Sequence, residues 1–205
     1  MPDVTLTTPL EMLTAARGGN AAALGMLLES YSNYLTLLAR MQIGAKVRGK
    51  VDPGDIVQET FLEVHRQFPE FRGTSEGEFL AWIRRILAGQ LAQTMRRFLG
   101  TKGRDVRMEQ EMAAKVDQSS AVLDRGFAAP GSSPSQSAAR REHSVILADA
   151  LNRLPADYRE VIILRHIEGH SFAETATRMG RTENGVQKLW VRALARLRQE
   201  LGDFE

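Results

Sequence analysis

The stretch "RTENGVQKLWVRALARLRQEL", Arg181 to Leu201, sets three cations, Lys188, Arg192 and Arg196, four residues apart behind Glu183, Asn184 and Gln187. Read as a helix, that order has a definite chemistry. Asn and Gln bond adenine bidentately, and Lys bonds guanine in the major groove. Guanidinium groups further along hold phosphates, which adds salt-dependent affinity without sequence information. Thr182 and the backbone amides behind it offer a phosphate site at the helix N-terminus. The candidate duplex-binding set is therefore Arg181, Thr182, Asn184, Gln187, Lys188, Arg192 and Arg196. Metal chemistry has a weaker case. His166 and His170 stand four apart, but Gly169 between them is expected to break the helix, and "HIEGH" is not the H-E-x-x-H zinc pattern. With no cysteine, no third ligand and no nucleophile–base pairing, neither a metal, a cofactor nor an enzymatic activity is expected.

The elements that would position the cationic helix are written immediately ahead of it. Ser171 and Glu174 have capping-box spacing for a short helix ending at Gly180, where glycine can turn the chain with positive φ. Thr182 caps the next helix. Ala176 is small where two helices would cross, and Val186 is apolar where the second would face the core. This is a helix-turn-helix layout, with the second helix in the major groove. Val186, Trp190, Ala193, Leu194, Leu197 and Leu201 should then pack inward. Gly185 is irregular, since it weakens the first turn by about 1 kcal/mol relative to alanine.

The rest of the chain also reads as helical, so the expected fold class is all-α: two small helical domains joined by a flexible linker. Leu24, Leu27, Leu28, Tyr31, Leu35, Leu38 and Met41 keep a helical period and predict one helix. Val57, Phe61, Val64 and Phe68 predict another, with Asp52 as cap, Pro53 at the first position and Asp55 in the first turn. Ser75 and Glu78 open a third, lined by Phe79, Ile83, Ile86, Leu87, Leu91 and Met95. After Gly100 the pattern fades, and Gln118 to Ala138 holds six serines, two glycines and two prolines, too little apolar surface to offset chain entropy. Periodicity returns with Val145, Leu147, Ala148, Leu151 and Leu154. Pro155 then opens a helix with Val161, Ile162, Leu164 and Ile167. The expected domains are 8–107 and 140–203, with a tether over 108–139.

Composition sets the outer bounds. The chain has 205 residues and a net charge of only +2, so the distribution of charge matters more than its sum. Between Arg84 and Arg107 seven basic residues face one acid, Asp105, which suits a polyanion. No apolar run is long enough to span a membrane, and the N-terminus lacks the basic start and apolar core of a signal peptide. Absence of cysteine suits a reducing cytoplasm.

"DPGDIVQETFLEVHRQFPEFRG", followed by "EFLAWIRRILAGQLAQTMRRF", resembles the extracytoplasmic-function (ECF) class of bacterial RNA polymerase sigma factors, in the sigma-70 family. Asp52, Asp55, Ile56, Val57, Gln58, Glu59, Thr60, Phe61 and Leu62 match that class's signature. "LPADYREVIILRHIEGHSFAETATRMGRTENGVQKLWVRALARLRQEL" resembles its C-terminal domain. The resemblance implies a region 2-like domain, a region 4-like domain and a role in transcription initiation. It implies that Asp55, Gln58, Glu59, Phe61 and Leu62 dock on the β′ clamp helices of core RNA polymerase, with the β flap as a further contact. It implies that Arg72, Thr74, Phe79, Trp82, Arg85 and Arg96 take the melted −10 element, and that the helix-turn-helix reads the −35 duplex. The implied partners are core polymerase and promoter DNA, with room for an anti-sigma protein; no membrane and no small-molecule substrate are expected. Arg85 and Arg96, eleven residues apart, should point the same way; Arg97 lies nearer the apolar side. Taken singly, Phe79 and Trp82 suit core packing equally, and Gln58 and Glu59 suit a solvated face. The class often has Asn and Asp where this chain has Gly89 and Gln93, and more Arg and His where it has Leu189, Val191 and Leu194, so no promoter sequence carries over. The rival reading is an operator-binding regulator that never joins polymerase.

Overall fold

The computed structural model describes residues 8–43, 50–99, 106–125 and 137–202. Among these, every regular element is helical. They are α1 (Pro9–Arg17), α2 (Ala21–Ser30), α3 (Ser32–Gln42), α4 (Pro53–Gln67), α5 (Glu76–Leu99), α6 (Val106–Arg125), α7 (Ser137–Arg153), α8 (Ala156–Ile162), α9 (Phe172–Met179) and α10 (Glu183–Gly202). A 3₁₀ turn, Phe68–Glu70, follows α4, and a π-helical turn, Ile163–Ile167, extends α8. The all-α expectation holds. No described helix is long and apolar enough to cross a membrane.

The chain divides into two compact units, Met1–Gln118 and Ser119–Glu205. In the first, α4 packs on α3 and α5, and α1 packs on α2. The core is formed by Leu24, Leu27, Leu28, Leu35, Leu38, Ile56, Val57, Val64, Phe79, Ile83, Leu87 and Leu91, all buried. In the second, α10 is the central element, contacted by α7, α8 and α9. Its core includes Leu147, Leu151, Leu154, Val161, Ile162, Leu164, Val186, Ala193 and Leu197.

Local start signals behave as their chemistry requires. The Asp52 carboxylate accepts from the Gly54 amide at 2.8 Å, with Pro53 at the first helical position, where its missing N–H removes nothing from the helix. Ser75 Oγ accepts from the Glu78 amide at 3.3 Å, and Glu78 Oε2 accepts from the amides of Thr74 and Ser75 at 2.9 and 3.0 Å. Those bonds, first the one from Thr74, hold the Glu78 carboxyl below its usual pKa.

Two expectations are overturned. The single helix expected from Leu24 to Met41 is two, α2 and α3, parted at Tyr31. Tyr31 is buried against Phe79 and donates its hydroxyl to Glu76 Oε1 at 2.7 Å, a distant tertiary contact that coincides with the break. The tether expected over 108–139 is helical as far as Arg125, in α6. Its buried residues, Met112, Val116, Ser120 and Leu123, keep one helical face, and Arg107 pairs with Glu111 at 3.0 Å one turn on. Serine content lowers mean hydropathy there without removing that stripe. The remainder of the expected tether, 126–136, lies outside the described residues.

Candidate nucleic-acid and protein-docking surfaces

In the second unit the helix-turn-helix is built from three local devices. Ser171 Oγ accepts from the Glu174 amide at 3.2 Å, while Glu174 Oε2 accepts from the Ser171 amide at 2.7 Å, completing the capping box. Gly180 sits at φ 62° and ψ 35°, the left-handed region that glycine enters without strain, and the Arg181 amide returns to the Ala176 carbonyl at 3.0 Å. Thr182 Oγ1 then accepts from the Gly185 amide at 3.1 Å and starts α10. The glycine at 185 gains a reason: a Cβ there would stand 3.0 Å from that same hydroxyl. Ala176 and Val186 are buried at the crossing, as their sizes suggest. Trp190 is half-buried, its ring 5.6 Å from both His166, stacked, and Phe172, edge-on. Arg165, in the π-helical turn after α8, lies 4.0 Å over the Phe172 ring and ties the start of α9 to that turn.

This packing decides which side of α10 meets solvent. Asn184, Gln187, Lys188, Val191, Arg192 and Arg198 are exposed on the side opposite Val186, Ala193 and Leu197. Lys188, Arg192 and Arg198 have no ion pair among the described residues. The expected stripe, however, does not run straight. Each step of four residues advances about 40° around an α-helix, so Arg196 lies towards the buried side. It bonds Glu200 at 2.7 Å and Gln199 at 3.3 Å, and the mostly buried Glu200 also takes Arg153 at 3.0 Å. Arg196 is thus a structural cation as well as a candidate phosphate ligand. Arg181 pairs with Asp157 at the start of α8, and the Thr182 hydroxyl is occupied by its cap. Arg198, which the four-residue spacing missed, shares the open face.

The two histidines diverge. His166 stacks on Trp190, and burial, then the neighbouring Arg165, pushes its pKa down. His170 meets Glu168 at 3.0 Å beyond Gly169, whose φ is 72°. Among the described residues no cluster of three ligating side chains occurs.

In the first unit, α4 presents Asp55, Gln58 and Leu62 to solvent on one face. Leu62 is 66% exposed, unusual for leucine, and it sits beside Glu59, which lies 3.9 Å from Arg97 on α5. Phe61, expected in the same docking set, is only 9% exposed and points into the core, because Val57, Phe61 and Val64 form the inward stripe of α4.

After α4 the chain turns through an aromatic cluster of Phe68, Phe71, Phe79 and Trp82, with ring centroids 4.7 to 6.5 Å apart. Phe79 is 0% exposed, so the expectation that it takes a melted base fails; it is the cluster's floor. Gly73 is pinned against the cluster, since a Cβ there would lie 2.3 Å from Phe71 Cζ. Arg72 and Thr74 are exposed on this loop. The Arg72 guanidinium donates to the Pro69 carbonyl at 2.7 Å, and Thr74 gives its amide to Glu78. Trp82 stands at the edge of a cleft of about 560 Å³ that Arg85, Gly89, Gln93 and Arg96 also line, with Glu63 and Glu109. Arg85 and Arg96 therefore do point the same way. Arg96, though, is bonded to Glu109 of α6 at 3.3 Å, with its side chain only 13% exposed. Arg84 is likewise bonded to Asp117 of α6 at 3.1 Å.

The second unit thus presents a capped helix-turn-helix with an exposed face of amides and cations. Comparison with known proteins finds similar sequences. Residues 144–197 match the family description "Sigma-70, region 4". The chain is 29% identical over 195 residues to the ECF RNA polymerase sigma factor BldN of Streptomyces coelicolor, covering 95% of this chain and 66% of that one. It is 29% identical over 196 residues to the ECF RNA polymerase sigma factor SigD of Mycobacterium bovis, covering 94% and 85%. Among solved structures, CnrH in complex with the cytosolic domain of CnrY aligns at 24% identity and a TM-score of 0.34, covering 96% and 99%. Residues 144–197 thus match sigma-70 region 4, and these relatives, similar along nearly the whole chain, are ECF RNA polymerase sigma factors.

Proposed function

We propose that this chain is an ECF sigma factor, a promoter-specificity subunit: it binds core RNA polymerase in the cytoplasm, reads the −35 duplex with α10 and captures melted −10 bases with the loop and helix after α4. The observation that carries the duplex reading is the open face of α10, where Asn184, Gln187, Lys188 and Arg192 stand together behind a glycine turn. Gln187 and Asn184 supply base-edge bonds, Lys188 a guanine contact, Arg192 and Arg198 phosphate contacts. The core-docking surface is Asp55, Gln58, Glu59 and Leu62, an apolar centre within a polar and acidic surround. The −10 surface is the cleft of Trp82, Arg85 and Arg96, with Arg72 and Thr74 on the loop. Trp82 supplies a stacking face and the arginines track phosphates. Dividing recognition between two units gives avidity, so each contact is weak alone and polymerase fixes their spacing. We further propose an anti-sigma protein as a regulator of this chain, as the resemblance to the ECF class implies.

The test is association of the purified chain with bacterial core RNA polymerase, followed by transcription from a genomic DNA pool. Stable association and new start sites establish the reading and reveal both promoter elements. Specific duplex binding without polymerase association replaces it with an operator-binding regulator.

A further inference from the structure

Val191 is 59% exposed, the one large apolar side chain so exposed among the described residues of the second unit. Single surface hydrophobics are ordinary, so its position has to decide whether it has a task. It stands seven residues after Asn184, which places it about 20° from Asn184 around the helix and roughly 10 Å further along. Gln187 and Lys188 precede it by one turn, Ala195 follows by one turn and Arg198 by two. All are exposed, so Val191 occupies the middle of the open face rather than its border with the core. A β-branched residue at an exposed helical site also lowers helix propensity and gains no packing there. The polar neighbours are suited to DNA, and the major groove has one prominent apolar feature, the C5-methyl group of thymine.

We propose that Val191 is a base-reading residue that packs against a thymine methyl group in the duplex bound by α10, next to the bases bonded by Gln187 and Lys188. The inference rests on the duplex-reading role of α10 and adds a preference that amide and cation contacts alone do not give. The recognised element carries a T·A pair of fixed polarity two turns into the helix's footprint, and its recognition depends on the methyl group rather than on a hydrogen bond.

The experiment uses the full chain with core RNA polymerase to select duplexes from a random pool. Each thymine of the preferred duplex is then replaced in turn by deoxyuridine, which removes the methyl and keeps every hydrogen-bonding group. One replacement should weaken binding about fourfold, the worth of burying one methyl-sized group. With Val191→Ala the same replacement should have no effect, and this variant should bind the unmodified duplex as weakly as the natural chain binds the deoxyuridine one. Alanine favours the helix at this exposed site, so melting should not fall. If no thymine shows methyl dependence, or if Val191→Ala retains it, the assignment is wrong. Loss of polymerase association in Val191→Ala with unchanged duplex binding makes the residue a protein contact instead. Selection of no duplex at all overturns the DNA reading of α10 and this inference with it.

Discussion

Arg192 and Arg196 look interchangeable in the sequence, yet their substitution by alanine should give opposite results. Arg192 is exposed and has no ion pair among the described residues. Its removal should leave folding alone. If it neutralises one phosphate, the slope of log K against log salt should become shallower by about 0.9. Arg196 is bonded to Glu200, a mostly buried carboxylate that it shares with Arg153. Removing it leaves Glu200 with one cation. The guanidinium is half exposed, so the loss should stay within the range of partly solvated ion pairs, roughly 0.5–1 kcal/mol. For a unit of this size that corresponds to a fall in Tm of about 2–8 °C. The salt slope should change by clearly less than for Arg192→Ala. The assay is fluorescence anisotropy of the full chain on its selected duplex at several salt concentrations, beside thermal melting of both variants. Equal slope changes with unchanged Tm would refute the reasoning, because Arg196 would then leave Glu200 to meet DNA and the drift of the stripe would not matter.

Three further outcomes follow from the same geometry. Leu62→Ala should weaken association with core polymerase at least several-fold without lowering Tm, whereas Phe61→Ala should cost about 3–5 kcal/mol of stability; calorimetry and a core-binding titration separate the two. Gly73→Ala should destabilise the first unit by about 1–3 kcal/mol, because its Cβ would overlap a Phe71 ring already held by Phe68, Phe79 and Trp82; denaturant unfolding measures this. Glu78 and Glu174 have folded pKa values held below their ordinary 4.5, Glu78 mainly by the Thr74 amide and Glu174 mainly by the Ser171 hydroxyl. Their contribution is therefore present above the unfolded pKa and lost as pH falls through the folded one. Glu174→Gln should flatten the fall in Tm below pH 4.5 relative to the natural chain.

What the sequence made legible was local. Asp52–Pro53, Ser75–Glu78 and Ser171–Glu174 bond within four residues of themselves, so their spacing already contains the geometry. The break at Tyr31 was not legible, because its partner Glu76 lies 45 residues away. α6 was hidden by serines that lower average hydropathy but leave Met112, Val116 and Leu123 on one face. At the candidate sites, periodicity told which residues share a face but not always which face is covered. Phe79 and Leu62 carry similar apolar signals, and only packing shows one as a floor and the other as an outpost. The stripe of α10 failed at Arg196 for a related reason: a spacing of four approximates a face over one turn and drifts off it by the second.

The bonds from α6 to α5 bear on how the cleft beside Trp82 selects what enters it. Arg96 already has a carboxylate, Glu109, at 3.3 Å, so an incoming phosphate gains only the difference between two anions. Binding there is an exchange reaction, and an exchange favours ligands that bring several charges and a stacking surface at once. A single small anion has little to offer against a tethered rival. A strand with bases and successive phosphates can displace Glu109 while occupying Arg85 and Trp82 as well. On the proposed reading, the acidic side of α6 makes the cleft a threshold device, quiet towards small ions and responsive to polymer.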